Sequence, residues 1–191
     1  WYEKLPGPQP HSITRQNLER LRSYYYWVTE KSDGIRFMLF LSNNHPYFEA
    51  YVVGRKFEFY RISHPFYKCF LNNVSGPSLL DGELIINQNN LLEYLAFDCV
   101  AMGGKSFSNE PTSHRVEQVK NFINKYKRDL IEFPKIEQEK QKKYVEPPIK
   151  LVAKKHWKAG DISRLLDKIN HYDEENEYYF ENEERKTKND G

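Results

Sequence analysis

The sequence predicts an α+β domain with twisted, largely antiparallel sheets and flanking helices. Three observations predict it. Runs rich in aromatic and β-branched residues recur from Tyr24 to Val100, parted by short polar or glycine-containing breakers. One longer segment, from Ser113 to about Leu130, carries its apolar residues at helical spacing. Aromatics make up 15% of the 191 residues, with 14 Tyr and 12 Phe, so rings are expected to build the core and to leave some free for a planar ligand.

The elements follow in order. Leu5-Pro6-Gly7-Pro8-Gln9-Pro10 is extended, because each proline disfavours helix in the residue before it. Ser12 to Arg22 reads as a short helix that Thr14 can cap, with Leu18 and Leu21 on one face. Strands are expected at Tyr24–Glu30, Arg36–Ser42, Tyr47–Val53 and Phe57–Arg61, as an antiparallel meander. Leu79–Ile86 and Leu92–Val100 form a further hairpin across Asn87-Gln88-Asn89-Asn90. The Ser113 helix presents Val116, Val119, Ile123 and Tyr126 on one side. Lys135–Lys143 is a charged, solvated connection. Ile149–Lys154 is a strand, and Asp161 caps a helix reaching about Ile169. Residues 172–188, acidic and then basic, read as a mobile charged loop.

A formal net charge of +2 excludes a nucleic-acid binder that works by bulk electrostatics, so any nucleotide site has to be a local cluster. Cys69 and Cys99 both lie in apolar stretches and are expected as free thiols of a reducing, intracellular compartment. No apolar run reaches the length of a membrane span and no signal peptide opens the chain, so a soluble protein is expected.

Four short stretches carry chemistry. Lys31-Ser32-Asp33-Gly34-Ile35-Arg36 lies between two expected strands. By itself Asp33-Gly34 also reads as a plain hairpin turn. A nucleophilic lysine needs help, since at a pKa of ~10.4 under ~0.1% is free amine at neutral pH. A neighbouring cation such as Arg36 favours the free base and can also hold a phosphate. In Leu79-Leu80-Asp81-Gly82-Glu83-Leu84-Ile85-Ile86 two carboxylates stand inside an apolar strand, where burial is costly unless they are paired or bind metal. Glu83 is the candidate for a ribose hydroxyl or a metal, and Asp81 for a support of the fold. In Tyr94-Leu95-Ala96-Phe97-Asp98-Cys99-Val100, strict alternation puts Tyr94, Ala96 and Asp98 on one face. Finally, Val152-Ala153-Lys154-Lys155-His156-Trp157-Lys158 offers lysines near a strand end. A buried lysine donor suits guanine, whose O6 and N7 both accept, over adenine, whose amine donates.

Lys-x-Asp-Gly-x-Arg, Asp-Gly-Glu, aromatic-Asp and a lysine strand, in that order, resemble the covalent nucleotidyltransferases, which comprise mRNA capping guanylyltransferases and polynucleotide ligases. Leu5 to Ser12 resembles the capping branch's PG-x-QP-V-S entry segment. The resemblance covers nearly the whole chain and implies a ligase-type (ATP-grasp-like) nucleotidyltransferase domain. It further implies that Lys31 attacks the GTP α-phosphate to form a lysyl–GMP phosphoamide, then passes GMP to a 5′-diphosphate RNA end. Ser32 would contact the guanine edge, Arg36 the ribose or phosphate, Arg55 the ribose, Glu83 a ribose hydroxyl, Phe97 the guanine face and Lys155 the guanine edge. The family usually has Asp where this chain has Gly54. Asn189-Asp190-Gly191 resembles the start of the next motif, with Asp190 near the phosphate and metal.

The resemblance also implies Mg2+ or Mn2+, a nuclear location, and as partners an RNA triphosphatase and the phosphorylated RNA polymerase II tail. It places a Lys-x-Lys strand and an OB-fold domain beyond Gly191, so the domain is expected to be incomplete at its C-terminal end and inactive alone. The alternatives are an ATP-dependent RNA or DNA ligase and a non-catalytic fragment that binds nucleotide or RNA.

Overall fold

Three strands of the expected meander form one side of a seven-stranded sheet. Its strands are β2 (Ile35–Asn44), β3 (Tyr47–Val53), β4 (Phe59–Arg61), β5 (Ser78–Ile86), β6 (Leu92–Met102), β7 (Lys105–Ser106) and β8 (Ile149–Ala153). They run in the order β4-β3-β2-β5-β6-β7, all antiparallel, while β8 pairs in parallel with the first half of β6. The computed structural model describes residues 5–44, 47–62, 74–87, 89–139, 149–167, 169–172 and 177–180.

Helix α2 (Thr112–Glu139) covers one face of this sheet. Its buried stripe, Val116, Val119, Phe122, Ile123 and Tyr126, packs with Leu39, Leu41, Val52, Leu80, Tyr94, Cys99 and Leu151. Burying five such side chains is worth on the order of 10 kcal/mol, against about 3 kcal/mol for a proline inside a helix. The helix accordingly runs past Pro134 and ends nine residues later than the stripe predicts. A smaller cluster on the opposite face joins Leu5 of the entry segment to Met38, Val53 and Val100.

Several expectations change. The first helix, α1 (Leu18–Ser23), starts later and buries nothing. Thr14 does not cap it; Asn17 Oδ1 instead accepts the Thr14 amide at 2.7 Å and Asn17 Nδ2 donates to Ser12 O, which uses up the residues before the helix in a turn. The first strand, β1, shrinks to Trp27–Val28 and pairs not with β2 but with β9 (Trp157–Lys158). Lys31 to Gly34 is therefore no hairpin turn. It crosses from a two-stranded sheet into the main one.

A single 3-10 turn (Ala159–Asp161) and α3 (Ile162–Leu166) follow β9. Ile169 then opens a strand, β10 (Ile169–Tyr172), rather than closing the helix, and β10 pairs with β11 (Glu177–Phe180). These two strands enter the stretch read as a loop; 173–176 and 181–191 lie outside the described residues, as does Cys69. Cys99 is buried and free, and burial pushes its thiol up to about 12. Among the described residues no helix is long and apolar enough to cross a membrane.

Candidate active site

Alternation along β6 fails at two places, and both failures shape the site. Asp81 pairs with Asp98 but Gly82 pairs with Ala96, which leaves Phe97 as an extra residue; Leu79 and Leu80 leave Val100 as another. Each bulge re-aims the side chains beyond it. Tyr94, Ala96 and Cys99 thus share the α2 face, although strict alternation puts Cys99 opposite Tyr94. The Tyr94 ring crosses β5 at Gly82, where a Cβ would lie 2.5 Å from Tyr94 Cζ. Its hydroxyl donates toward the carbonyls of Phe37 and Leu80 at 3.0 and 3.1 Å. Burial raises the Tyr94 pKa well above the ordinary range, so the hydroxyl stays a donor.

On the other face, Glu83 collects two partners. Ser32 Oγ donates to Glu83 Oε1 at 2.7 Å, and Lys154 Nζ donates to the same oxygen at 2.5 Å. All three residues are buried. Gly34 allows this closeness, since a Cβ there would meet Glu83 Oε2 at 2.9 Å and Ile85 Cγ2 at 2.8 Å. The Lys154 amide donates to Ala96 O, which carries the parallel pairing one residue past β8. Its ammonium then faces the Phe97 ring, 5.9 Å from the centroid. His156 Nδ1 lies 3.0 Å from Lys154 O and burial lowers its pKa, so the ring is neutral at pH 7 and Nδ1–H donates.

Two further ion pairs flank this group. Arg36 Nε and Nη2 donate to Asp81 at 2.9 and 2.5 Å, and Nη2 also reaches the Pro8 carbonyl. The Asp81 hydrogen bond raises the Arg36 pKa. Burial nevertheless raises Asp81 as well, more than Arg36 lowers it. The two-nitrogen contact fixes the Arg36 guanidinium against Asp81 and the entry segment. On the α2 side, Arg115 Nε and Nη2 donate to Asp98 at 2.8 and 3.2 Å, while Cys99 N donates to Asp98 Oδ1.

The predicted residues fall as follows. Ser32, Glu83 and Phe97 come together. Lys31 is exposed and adjoins Ser32, so its Cα stands about 3.8 Å from that of a residue bonded to Glu83. Arg36 is on β2 opposite Glu83 in register, with its guanidinium turned to Asp81. Arg55 is exposed in the turn after β3, and Asp190 lies outside the described residues. Lys155 is exposed; the lysine beside Glu83 and Phe97 is Lys154. A period-2 signal was there to find it. Ile149, Leu151 and Ala153 all face the α2 core, which sends Lys154 to the other side.

The chain matches the family described as mRNA capping enzyme, catalytic domain, over residues 2–177. It belongs to that family. It is 38% identical over 115 residues to the mRNA-capping enzyme subunit alpha of Schizosaccharomyces pombe, covering 53% of this chain and 28% of that protein. With the subunit alpha of Saccharomyces cerevisiae it shares 32% over 139 residues, 64% of this chain and 30% of the relative. With the mRNA-capping enzyme of Danio rerio it shares 31% over 104 residues, 53% and 17% respectively. The matched stretch thus spans less than a third of these relatives' length. Membership agrees with the order of motifs from Lys31 to Lys154, and with an α+β architecture of sheets and few helices.

Proposed function

We propose that this chain is the GMP-accepting domain of an mRNA guanylyltransferase. The observation that carries the reading is the group beside Lys31: Ser32 and Lys154 on Glu83, under the Phe97 ring. A ring offers a stacking face to a base. An ammonium beside it offers donors to guanine O6 and N7 and opposes the adenine amine. Lys154 therefore takes the base-reading role that the motif order assigns to Lys155. Glu83 is suited to a ribose hydroxyl, and Arg36 and Arg55 to the ribose and phosphates.

In the reaction, the free amine of Lys31 attacks the α-phosphorus of GTP. The N–P bond forms, the bond from that phosphorus to the bridging oxygen breaks, and pyrophosphate leaves with that electron pair; the amine proton goes to solvent. An oxygen of the 5′-diphosphate RNA end then attacks the same phosphorus, the N–P bond breaks with its electron pair going to nitrogen, and the nitrogen takes a proton from solvent to regain the Lys31 amine. Holding Lys31 beside the base pocket makes the first attack effectively intramolecular.

Magnesium or manganese fits poorly as a resident ion here. Among the described residues there is no cluster of three metal-ligating side chains, and Asp81, Glu83 and Asp98 are each committed to a cation. The metal enters as part of the metal–GTP substrate, held mainly by phosphates. The nuclear location, the RNA triphosphatase and the phosphorylated polymerase tail rest on the family resemblance alone.

The test is parallel incubation of a protein carrying this chain together with the segments that follow it in the family, with α-labelled GTP and α-labelled ATP plus magnesium. GTP alone should label the protein. Labelling by ATP at equal or greater rate would make the chain a ligase relative and sink the guanine assignment.

A further inference from the structure

The turn after β3 and the edge strand β4 carry an unusual display. Phe57 has a φ of +60°, a conformation that bulky side chains rarely adopt and that is retained where surrounding structure holds it. Here the holding groups are explicit. Gly54 N donates to Glu58 O at 2.9 Å, Phe57 N to Gly54 O at 3.0 Å, and Lys56 N to Glu58 Oε2 at 3.1 Å. The Glu58 carboxylate lies over Gly54, with Oε2 2.5 Å from a Cβ built there. The stretch's single carboxylate, itself exposed, bonds the Lys56 amide, and Arg55, Lys56 and Arg61 are exposed as well.

The rings beside those cations are exposed too, with Phe57 at 40%, Phe59 at 62% and Tyr60 at 54%. Phe59 and Tyr60 are held edge-on by Tyr51 and Phe37, each with centroids 6.1 Å apart. The display is near the candidate site. Phe59 registers with Val53 and Arg61 with Tyr51, on the sheet face that carries Met38, Asp81 and Arg36, whereas Tyr60 packs on Phe37 on the α2 face. By strand spacing β4 is roughly 10 Å from β2.

We infer that this edge is the track along which a single-stranded polynucleotide, the RNA that accepts GMP, reaches Lys31. A held ring between cations, Phe59 between Lys56 and Arg61, matches an anionic backbone carrying bases with two π-faces, and such surfaces bind without reading sequence. The inference rests on the guanylyltransferase reading for the identity of the strand.

The probe is a 5′-diphosphate RNA decamer with a fluorophore at its 3′ end, followed by anisotropy over a salt series with protein carrying this chain in full. Two variants are compared: Lys56→Ala with Arg61→Ala, and Phe59→Ala. The charge variant should flatten the slope of log K against log salt by about 1.4, for two lost phosphate contacts on a single strand. The ring variant should weaken binding roughly fivefold or more at every salt with the slope kept. GMP labelling of Lys31 should match the unaltered protein in both, while transfer of GMP to RNA falls.

Unchanged affinity and slope in both variants would overturn the inference. So would equal losses with duplex RNA, full displacement of the RNA by an acidic peptide, or failure of a thiol reagent to reach Lys56→Cys in the native protein, which would mean another segment covers the edge. Absent GMP labelling in the unaltered protein would strike the enzymatic reading instead, and the anisotropy result would still stand.

Discussion

The ammonium of Lys154 bonds Glu83 Oε1 at 2.5 Å and faces the Phe97 ring at 5.9 Å, which joins three strands at one point. Both side chains of the pair are nearly sealed from solvent, 7% exposed for Lys154 and 12% for Glu83. Removing one partner of a buried pair strands the other charge, at a cost of about 3–5 kcal/mol. Lys154→Ala should therefore lower the melting temperature and abolish GMP labelling. Lys155→Ala, at an exposed position, should shift stability by under about 0.5 kcal/mol and spare labelling. Melting curves and labelling of the two variants side by side check this, and the reverse pattern would return the base-reading role to Lys155.

Phe97 occupies the extra position of a bulge, so its ring is not part of the α2 core. Phe97→Ala should cost little stability for an aromatic and much GTP affinity, on the order of 1–3 kcal/mol by analogy with base stacking on aromatic platforms. Phe97→Tyr should restore most of it. Titration of GTP against both variants measures the difference; a large loss of melting temperature with unchanged affinity would make Phe97 a core residue.

How much was legible in the sequence can be read from β6. The strand itself was, because Leu92–Val100 is mostly apolar and carries two aromatic residues, Tyr94 and Phe97. Its faces were not. Bulges at Phe97 and Val100 depend on how β5 lies beside β6, a non-local pairing that period-2 counting cannot see. The same limit explains Lys31: Asp33-Gly34 resembles a hairpin turn locally, but Trp27 and Val28 find their partner at Trp157 and Lys158, more than a hundred residues away. Ser32, Glu83 and Phe97 were legible because motif order stands in for geometry. The motif order named Lys155, while the apolar alternation of Ile149, Leu151 and Ala153 points to Lys154, the lysine that the structure puts on Glu83.

Gly82 is fixed by contact. A methyl group there would meet Tyr94 Cζ at 2.5 Å and the Leu95 carbonyl at 2.7 Å. Gly82→Ala should destabilise by about 1–3 kcal/mol or more, since neither the buried ring nor the backbone can move aside. Tyr94→Phe with Gly82→Ala should recover little, because the carbonyl contact remains. Denaturant unfolding of the single and double variants checks this; full recovery in the double variant would contradict it.

Burial lowers the His156 pKa in the folded protein below its ordinary value of 6.5. For a base with a depressed folded pKa, the unfolded chain takes the proton first. Stability is therefore fully present above about pH 6.5 and is lost as pH falls from there through the lower folded value. His156→Gln should flatten that limb. The Lys154 carbonyl that His156 bonds belongs to the base pocket, so GTP affinity should fall over the same window. Unfolding and GTP titrations from pH 7.5 to 5 measure both; an unchanged pH dependence in the variant would remove His156 from the account.

The central claim is the covalent bond at Lys31. A protein carrying this chain together with the segments that follow it in the family is incubated with GTP and magnesium, digested without acid, and the peptide spanning Lys31 is weighed and fragmented. The account predicts a GMP adduct on the Lys31 amine, discharged by pyrophosphate and absent in Lys31→Ala. An adduct on another lysine, or one that persists in Lys31→Ala, would contradict it.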